Sequence, residues 1–335
     1  MAEYMQEKIL DLLAGEEIDA QPAFSGLIHI TAEGLKQQGL SLHEVHHNSQ
    51  KMARAAASTY RATGMPSAAL PLDLCAPAEA IGAELRYPEA GDDRFPQVHR
   101  PWVQSVKEIE FDDIQTLKQG RIPLICEAIG LMKQDIGGEV VISGMLPGPY
   151  TLLLYLCDPV SLFTEMKKDA PAVTNALLRL SSLLATIGMA YKEAGADFTT
   201  IHEMGGSPGF IGRTKFEQFV LPALRELTQK LNPPCVLSIC GKTNPSMDLL
   251  AQSGAAAISV DQTNDLTASR ASLKGTLLFG NIDPVQTLWQ GDEQSITEAA
   301  RLAGQSGVDA LWPGCDLVPQ TPITNIFAFL HSLES

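Results

Sequence analysis

The sequence predicts an α/β protein, a closed (β/α)8 TIM barrel carrying an N-terminal helical extension. Three observations point there. From residue 123 onward, short apolar β-prone runs alternate with longer helical ones. The strand candidates are nearly continuous in apolar residues, as expected of a parallel sheet covered on both faces. No glycine-rich dinucleotide or phosphate-loop fingerprint follows any of them, which disfavours an open doubly wound sheet.

Taken in order, residues 5–15 read as a helix. A longer helix is expected over 41–64, with Ser41 as its N-cap and Gly64 as its end. Extended runs follow at 68–74 and 84–87. The proline-, glycine- and charge-rich stretch 88–102 is expected to be a surface loop. The regular part then offers strands at 123–128, 139–143, 197–203, 236–240, 256–261, 276–280 and 310–312. Helices are expected at 170–194, 213–231, 245–252 and 293–304. With one or two strands from the N-terminal third, the count reaches about eight, the number a closed barrel needs. A single domain over 1–335 is expected, since one hydrophobic core can serve a barrel of this length.

Composition narrows the function. The chain has 335 residues, 45% hydrophobic, and a net charge of -15. Such a surface repels phosphate backbones and anionic lipid, so neither nucleic acid nor a membrane is an expected partner. The N-terminus lacks the apolar core and cleavage site of a signal peptide. The apolar stretch 177–190 is interrupted by Arg179 and serines and falls short of a bilayer span. A cytoplasmic location follows as the expectation. The six cysteines are scattered through the chain, so no disulfide framework is indicated.

In a barrel, chemistry gathers at the C-terminal ends of the strands. Three such ends carry unusual residues: Ile201-His202-Glu203-Met204-Gly205-Gly206, Leu237-Ser238-Ile239-Cys240-Gly241 and Trp312-Pro313-Gly314-Cys315-Asp316. Side chains alternate along a strand, so Ser238 shares a face with Cys240 and Ile201 with Glu203, while His202 faces the opposite way from Glu203. Two thiolates with one carboxylate or imidazole, drawn from three strands, would form a three-ligand site with one open position, the usual design of catalytic zinc. Such an ion lowers the pKa of an incoming thiol. The alternative is that the cysteines are packing residues and that Glu203 caps a helix. His43, His46 and His47 read as surface residues of a polar helix, and Asp316 as a turn cap.

The runs Ser143-Gly144-Met145-Leu146-Pro147-Gly148-Pro149, Ser238-Ile239-Cys240-Gly241-Lys242-Thr243, Ile258-Ser259-Val260-Asp261-Gln262, Phe279-Gly280-Asn281-Ile282-Asp283-Pro284 and Pro313-Gly314-Cys315, with Pro319-Gln320-Thr321-Pro322 and Asn325 beyond, together resemble the uroporphyrinogen decarboxylase superfamily. Within it they are similar to the methylcobamide:coenzyme M methyltransferase branch. The resemblance implies a zinc ion held by a histidine-x-cysteine motif and a later cysteine. The cysteines carry over onto Cys240 and Cys315; the histidine does not, because Ser238 stands in its place. Glu203 is the preferred substitute as metal ligand and catalytic residue, and His202 the second choice if the turn rotates it inward.

The resemblance further implies that a thiolate attacks the methyl carbon of a methylcobamide and that cob(I)alamin departs. Ser238, Asp261, Gln262, Asn281 and Asp283 are the candidates for binding substrate. No corrinoid-binding D-x-H-x-x-G run is present, so a separate corrinoid protein is expected to carry the methyl donor, with a small thiol such as coenzyme M as acceptor. A folate or another acceptor is the alternative within this chemistry. A decarboxylase acting on uroporphyrinogen is the alternative outside it; residues 1–40 lack the arginines that would bind that substrate's carboxylates.

Overall fold

A computed structural model describes residues 2–92 and 94–332. The single-domain expectation also covers Met1, Asp93 and residues 333–335, which lie outside the described residues.

Among the described residues there are eight strands: β1 (Ser67–Leu70), β2 (Leu85–Arg86), β3 (Gln97–Val98), β4 (Val141–Pro147), β5 (Phe198–Glu203), β6 (Cys235–Ile239), β7 (Ala257–Val260) and β8 (Leu277–Phe279). Six of them form one parallel sheet in the order β1-β4-β5-β6-β7-β8. Two further stretches complete the ring. Residues 310–313 bridge in parallel to Phe279 and Ile282, and Leu311 bridges in parallel to Ala23. Phe24 N then donates to Leu311 O at 3.1 Å, and Ser25 N donates to the Ser67 Oγ of β1 at 3.0 Å. The wall thus has eight positions, six full strands and two short extended segments, as the expected barrel requires.

The interior is filled rather than hollow. Phe24, Phe279 and Trp312 meet edge to face or tilted, with ring centroids 5.2 to 5.6 Å apart, and Phe198 joins Phe24 at 6.4 Å. Gly26 passes so close to this plug that a Cβ there would lie 2.3 Å from Thr200 Oγ1 and 2.7 Å from the Trp312 ring. Above it, Ser143 Oγ donates to Gly26 O at 2.9 Å and shares a 2.8 Å hydrogen bond with Thr200 Oγ1. Phe198 and Thr200 therefore point into the barrel, which fixes the inward parity of β5 as even-numbered.

Four local expectations are corrected. Residues 123–128 are not a strand but part of the helix Ile122–Ile136. Its buried residues Ile122, Ile125, Ala128, Ile129, Met132 and Ile136 follow helical spacing, and the wall position is taken by β1 instead. The helix expected over 41–64 is broken into a short turn at Leu42–Glu44 and helices Ser49–Ala56 and Ser58–Thr63. Asn48, accepting from Lys51 N at 2.9 Å, caps the first of these in place of Ser41, while Gly64 ends the last with φ +78°. The expected loop 88–102 contains β3, which pairs antiparallel with β2. The helix expected over 213–231 contains a π-helical turn at Phe216–Val220 just before Pro222, whose missing N–H cannot continue the regular ladder.

The helix Ala170–Ala194, as expected at 170–194, is by length and composition long and apolar enough to cross a membrane, contrary to the reading of 177–190 alone. Leu177, Leu180, Leu183, Leu184 and Ile187 are nevertheless buried inside the protein.

Candidate active site

Parallel pairing in register places paired residues side by side on the same face of the wall. β5 and β6 pair His202 with Ser238 and Glu203 with Ile239. Since Thr200 points inward, so do His202, Ser238 and, one step past the end of β6, Cys240. The segment following 310–313 brings Cys315 to the same place. His202 Nε2 lies 3.4 Å from Cys240 Sγ and 4.0 Å from Cys315 Sγ, and the two sulfurs are 3.9 Å apart. His202 is fully buried, whereas both cysteines are partly exposed.

Glu203 is a correction. It was expected to share the inward face, but it points outward into the layer of helices. Its carboxylate accepts from Tyr150 N at 3.0 Å, Thr151 N at 3.1 Å, Thr151 Oγ1 at 2.5 Å and Gly206 N at 2.8 Å. It therefore serves the N-terminus of the helix Pro149–Leu156, where free N–H groups favour a negative charge. Gly148 makes room for it, since a Cβ there would fall 2.2 Å from Glu203 Oε2. Burial pushes its pKa up, and these hydrogen bonds work against that rise. With its oxygens committed, Glu203 is not available to the cluster as a catalytic or metal-binding group. The third side chain grouped with the two cysteines is the His202 imidazole.

The other candidates divide. Ser238 is buried beside the cluster, directly across from His202. Asp261 fastens the turn that carries Cys240: one oxygen accepts from Gly241 N and the other from Thr263 N at 2.9 Å. Asn281 ties loops together through Nδ2, donating to Asp261 O at 3.0 Å and Asn264 O at 2.9 Å. Asp283 caps the turn Pro284–Trp289 by accepting from Val285 N and Gln286 N at 2.8 and 2.9 Å. Gln262, Asn281 and Asp283 border an open groove of about 470 Å³ that none of His202, Cys240 and Cys315 lines. The side chains of Asp261, Asn281 and Asp283 thus make turn and cap hydrogen bonds in this structure.

A second cavity, about 490 Å³, is lined by Met204 and Asp316 next to the cluster, together with Asp73, Cys75, Tyr155 and His99. Asp316 is not merely a turn cap: its Oδ2 lies 3.8 Å from His202 Nδ1. Its position directly after Cys315 was the one available signal. The buried Arg121, which donates to Asp73 at 2.6 and 3.0 Å and to Glu79 at 2.8 Å, had no signal in the sequence. His46, expected at the surface, is fully buried beside Asp73, at 3.7 Å, because the helix that would have exposed it is broken.

The electrostatics of the cluster are mutual. Burial opposes a charge on His202, but the adjacent Cys315 and Asp316 outweigh it and push its pKa up to about 9. The Cys240 thiol and burial hold the Cys315 thiol well above its usual range. Two thiols and an imidazole this close could together hold a soft divalent ion. The spacing fits one: in tetrahedral zinc sites, bonds of about 2.3 Å to sulfur and about 2.0 Å to nitrogen put sulfurs about 3.8 Å apart and nitrogen about 3.5 Å from sulfur. His202, Cys240 and Cys315 are the group of this kind found among the described residues.

The family described as Uroporphyrinogen decarboxylase (URO-D) matches residues 5–335. The protein named Methylcobamide:CoM methyltransferase MtbA from Methanosarcina acetivorans is 30% identical, with 97% of this chain and 96% of that protein covered. Methylcobamide:CoM methyltransferase MtaA from Methanosarcina barkeri is 29% identical, with 100% and 99% covered. The solved structure described as a methyltransferase from Methanosarcina mazei superposes with a TM-score of 0.93 at 28% identity, covering 98% of each chain.

Proposed function

The chain belongs to the uroporphyrinogen decarboxylase family and is an enzyme of the methyltransferase type, and on that footing we propose that it moves a methyl group from a methyl-corrinoid protein to a thiol with the help of zinc. The convergence of His202 Nε2, Cys240 Sγ and Cys315 Sγ within 3.4 to 4.0 Å of one another carries this reading. Held by these three donors, a zinc ion would have room for a sulfur from outside. When bound there, zinc supplies the positive charge that keeps an incoming thiol ionised at neutral pH.

The chain's own residues would do the rest. Cys240 and Cys315 contribute two anionic donors and His202 a neutral one. The aromatic plug and the buried face of His202 keep water from below the cluster, while the cysteines remain open to the mouth. There the acceptor sulfur is held for in-line attack on the methyl carbon: the carbon–sulfur bond forms, the cobalt–carbon bond breaks, and its electron pair stays on cobalt. The methylcobamide arrives on a separate corrinoid protein, the acceptor is a small thiol with coenzyme M as the first candidate, and the reaction runs in the cytoplasm, where thiols stay reduced.

Incubation of the purified protein with methylcobalamin and a panel of thiols tests the proposal. The absorbance change from methylcobalamin to cob(I)alamin, dependent on thiol and abolished by a zinc chelator, is the expected result. A reaction that proceeds with a folate but no thiol, or that ignores chelation, overturns it.

A further inference from the structure

His202 has two ring nitrogens with different surroundings. Nε2 faces the sulfurs, whereas Nδ1 is buried and has no hydrogen-bond partner. An orphaned buried nitrogen costs free energy, and a histidine that ligates a metal through one nitrogen commonly donates its other N–H to a carboxylate. Asp316 is placed to receive it. Its Oδ2 stands 3.8 Å from Nδ1, about 1 Å beyond hydrogen-bonding distance. Its Oδ1 is already anchored, accepting from Ile28 N at 2.9 Å, and the next residue, Leu317, donates to Ile28 O at 2.8 Å. The carboxylate is thus fixed at one oxygen and unshared at the other, with that oxygen aimed at the imidazole.

We propose that Asp316 is the positioning residue for His202: it takes the Nδ1 proton in a hydrogen bond and so presents the Nε2 lone pair to an ion shared with Cys240 and Cys315. This rests on the proposed zinc site. It concerns the imidazole on β5, which serves a position where Ser238 stands on β6. The carboxylate adjoining Cys315 is therefore the one that faces this imidazole. It also places a negative charge beside the site, on the wall of the cavity that Met204 and Asp316 line.

Asp316→Asn separates this role from a structural one. Asparagine keeps an acceptor oxygen for Ile28 N but turns an NH2 group toward Nδ1, where two donors then meet; relief requires the other tautomer, whose Nε2 carries the proton and cannot ligate. Zinc affinity, measured by competition with a chelator, is expected to fall by about 10–100-fold. The visible spectrum of the cobalt(II)-loaded protein should lose its four-coordinate, thiolate-rich signature. The melting temperature of the metal-free protein should stay at the parent value, and Asp316→Glu should recover part of the affinity. Unchanged affinity and spectrum in Asp316→Asn, with the parent binding zinc, overturn the role of Asp316 alone. A drop in affinity matched by loss of metal-free stability overturns it too, by assigning Asp316 to the Ile28 contact. A parent chain that binds neither zinc nor cobalt overturns the site itself.

Discussion

His202 and Ser238 are register partners across β5 and β6, so their side chains emerge side by side on the inner wall of the barrel. The resemblance to the methyltransferases places a histidine where Ser238 stands, and in this chain the imidazole comes from one strand over. Its Nε2 still reaches Cys240 at 3.4 Å. Neighbouring strands lie only about 4.8 Å apart, so a side chain on β5 and one on β6 can approach the same point on the inner wall.

Zinc content tests the donor set directly. The parent protein is expected to hold about one zinc per chain after dialysis. Cys240→Ala, Cys315→Ala and His202→Ala should each lose it. Elemental analysis decides, and a His202→Ala protein that retains full zinc would remove the imidazole from the site.

If His202 serves as the imidazole donor in place of a histidine at position 238, a reciprocal prediction follows. In the His202→Ala background, adding Ser238→His restores an imidazole on the same face from the neighbouring strand, and zinc retention should return. Ser238→His alone crowds a buried position beside His202 and should lower the melting temperature without raising zinc content. A double variant that stays zinc-free would show that the two positions are not interchangeable.

Glu203→Gln should behave in the opposite way to the cysteine variants. Zinc should be retained, because the carboxylate faces the helices. Stability should fall by about 3 kcal/mol, since an amide cannot accept all the hydrogen bonds from Tyr150, Thr151 and Gly206 and turns its own N–H groups toward donors. Urea unfolding gives the stability change, and loss of zinc at undiminished stability would contradict this assignment.

His46 gives the fold a defined weakness toward acid. It is fully buried with both ring nitrogens unpartnered, and burial, only partly opposed by Asp73, pulls its pKa down to about 4. The unfolded chain, with an ordinary histidine near 6.5, takes up this proton first, so stability is full above about 6.5 and is lost as pH falls toward about 4. The loss is on the order of 3 kcal/mol across that window. Denaturation midpoints measured at pH 7 and 4.5 should show it, and His46→Leu should lessen the dependence. An identical slope in that variant would assign the acid sensitivity elsewhere.

Much of the fold was legible because its signals are local. The strands at 197–203 and 236–240, the helix 170–194 and the arrest at Gly64 all follow from apolar runs, helical periodicity and glycine's tolerance of positive φ. Residues 123–128 misled because a short apolar run reads equally well as a buried strand or one turn of a buried helix. The buried pair Arg121 and Asp73, 48 residues apart in the chain, left no trace in either neighbourhood.

From the residue order alone it follows that two cysteines lie at strand ends, that Ser238 and Cys240 share a face, and that His202 and Glu203 do not share one. These are consequences of the two-residue period of a strand. Which of His202 and Glu203 looks inward depends on long-range packing. Alternation along one strand fixes relative parity but not its sign. The sign is set by the pairing of His202 with Ser238, and by the inward packing of Phe198 and Thr200 against the plug, contacts between segments far apart in the chain.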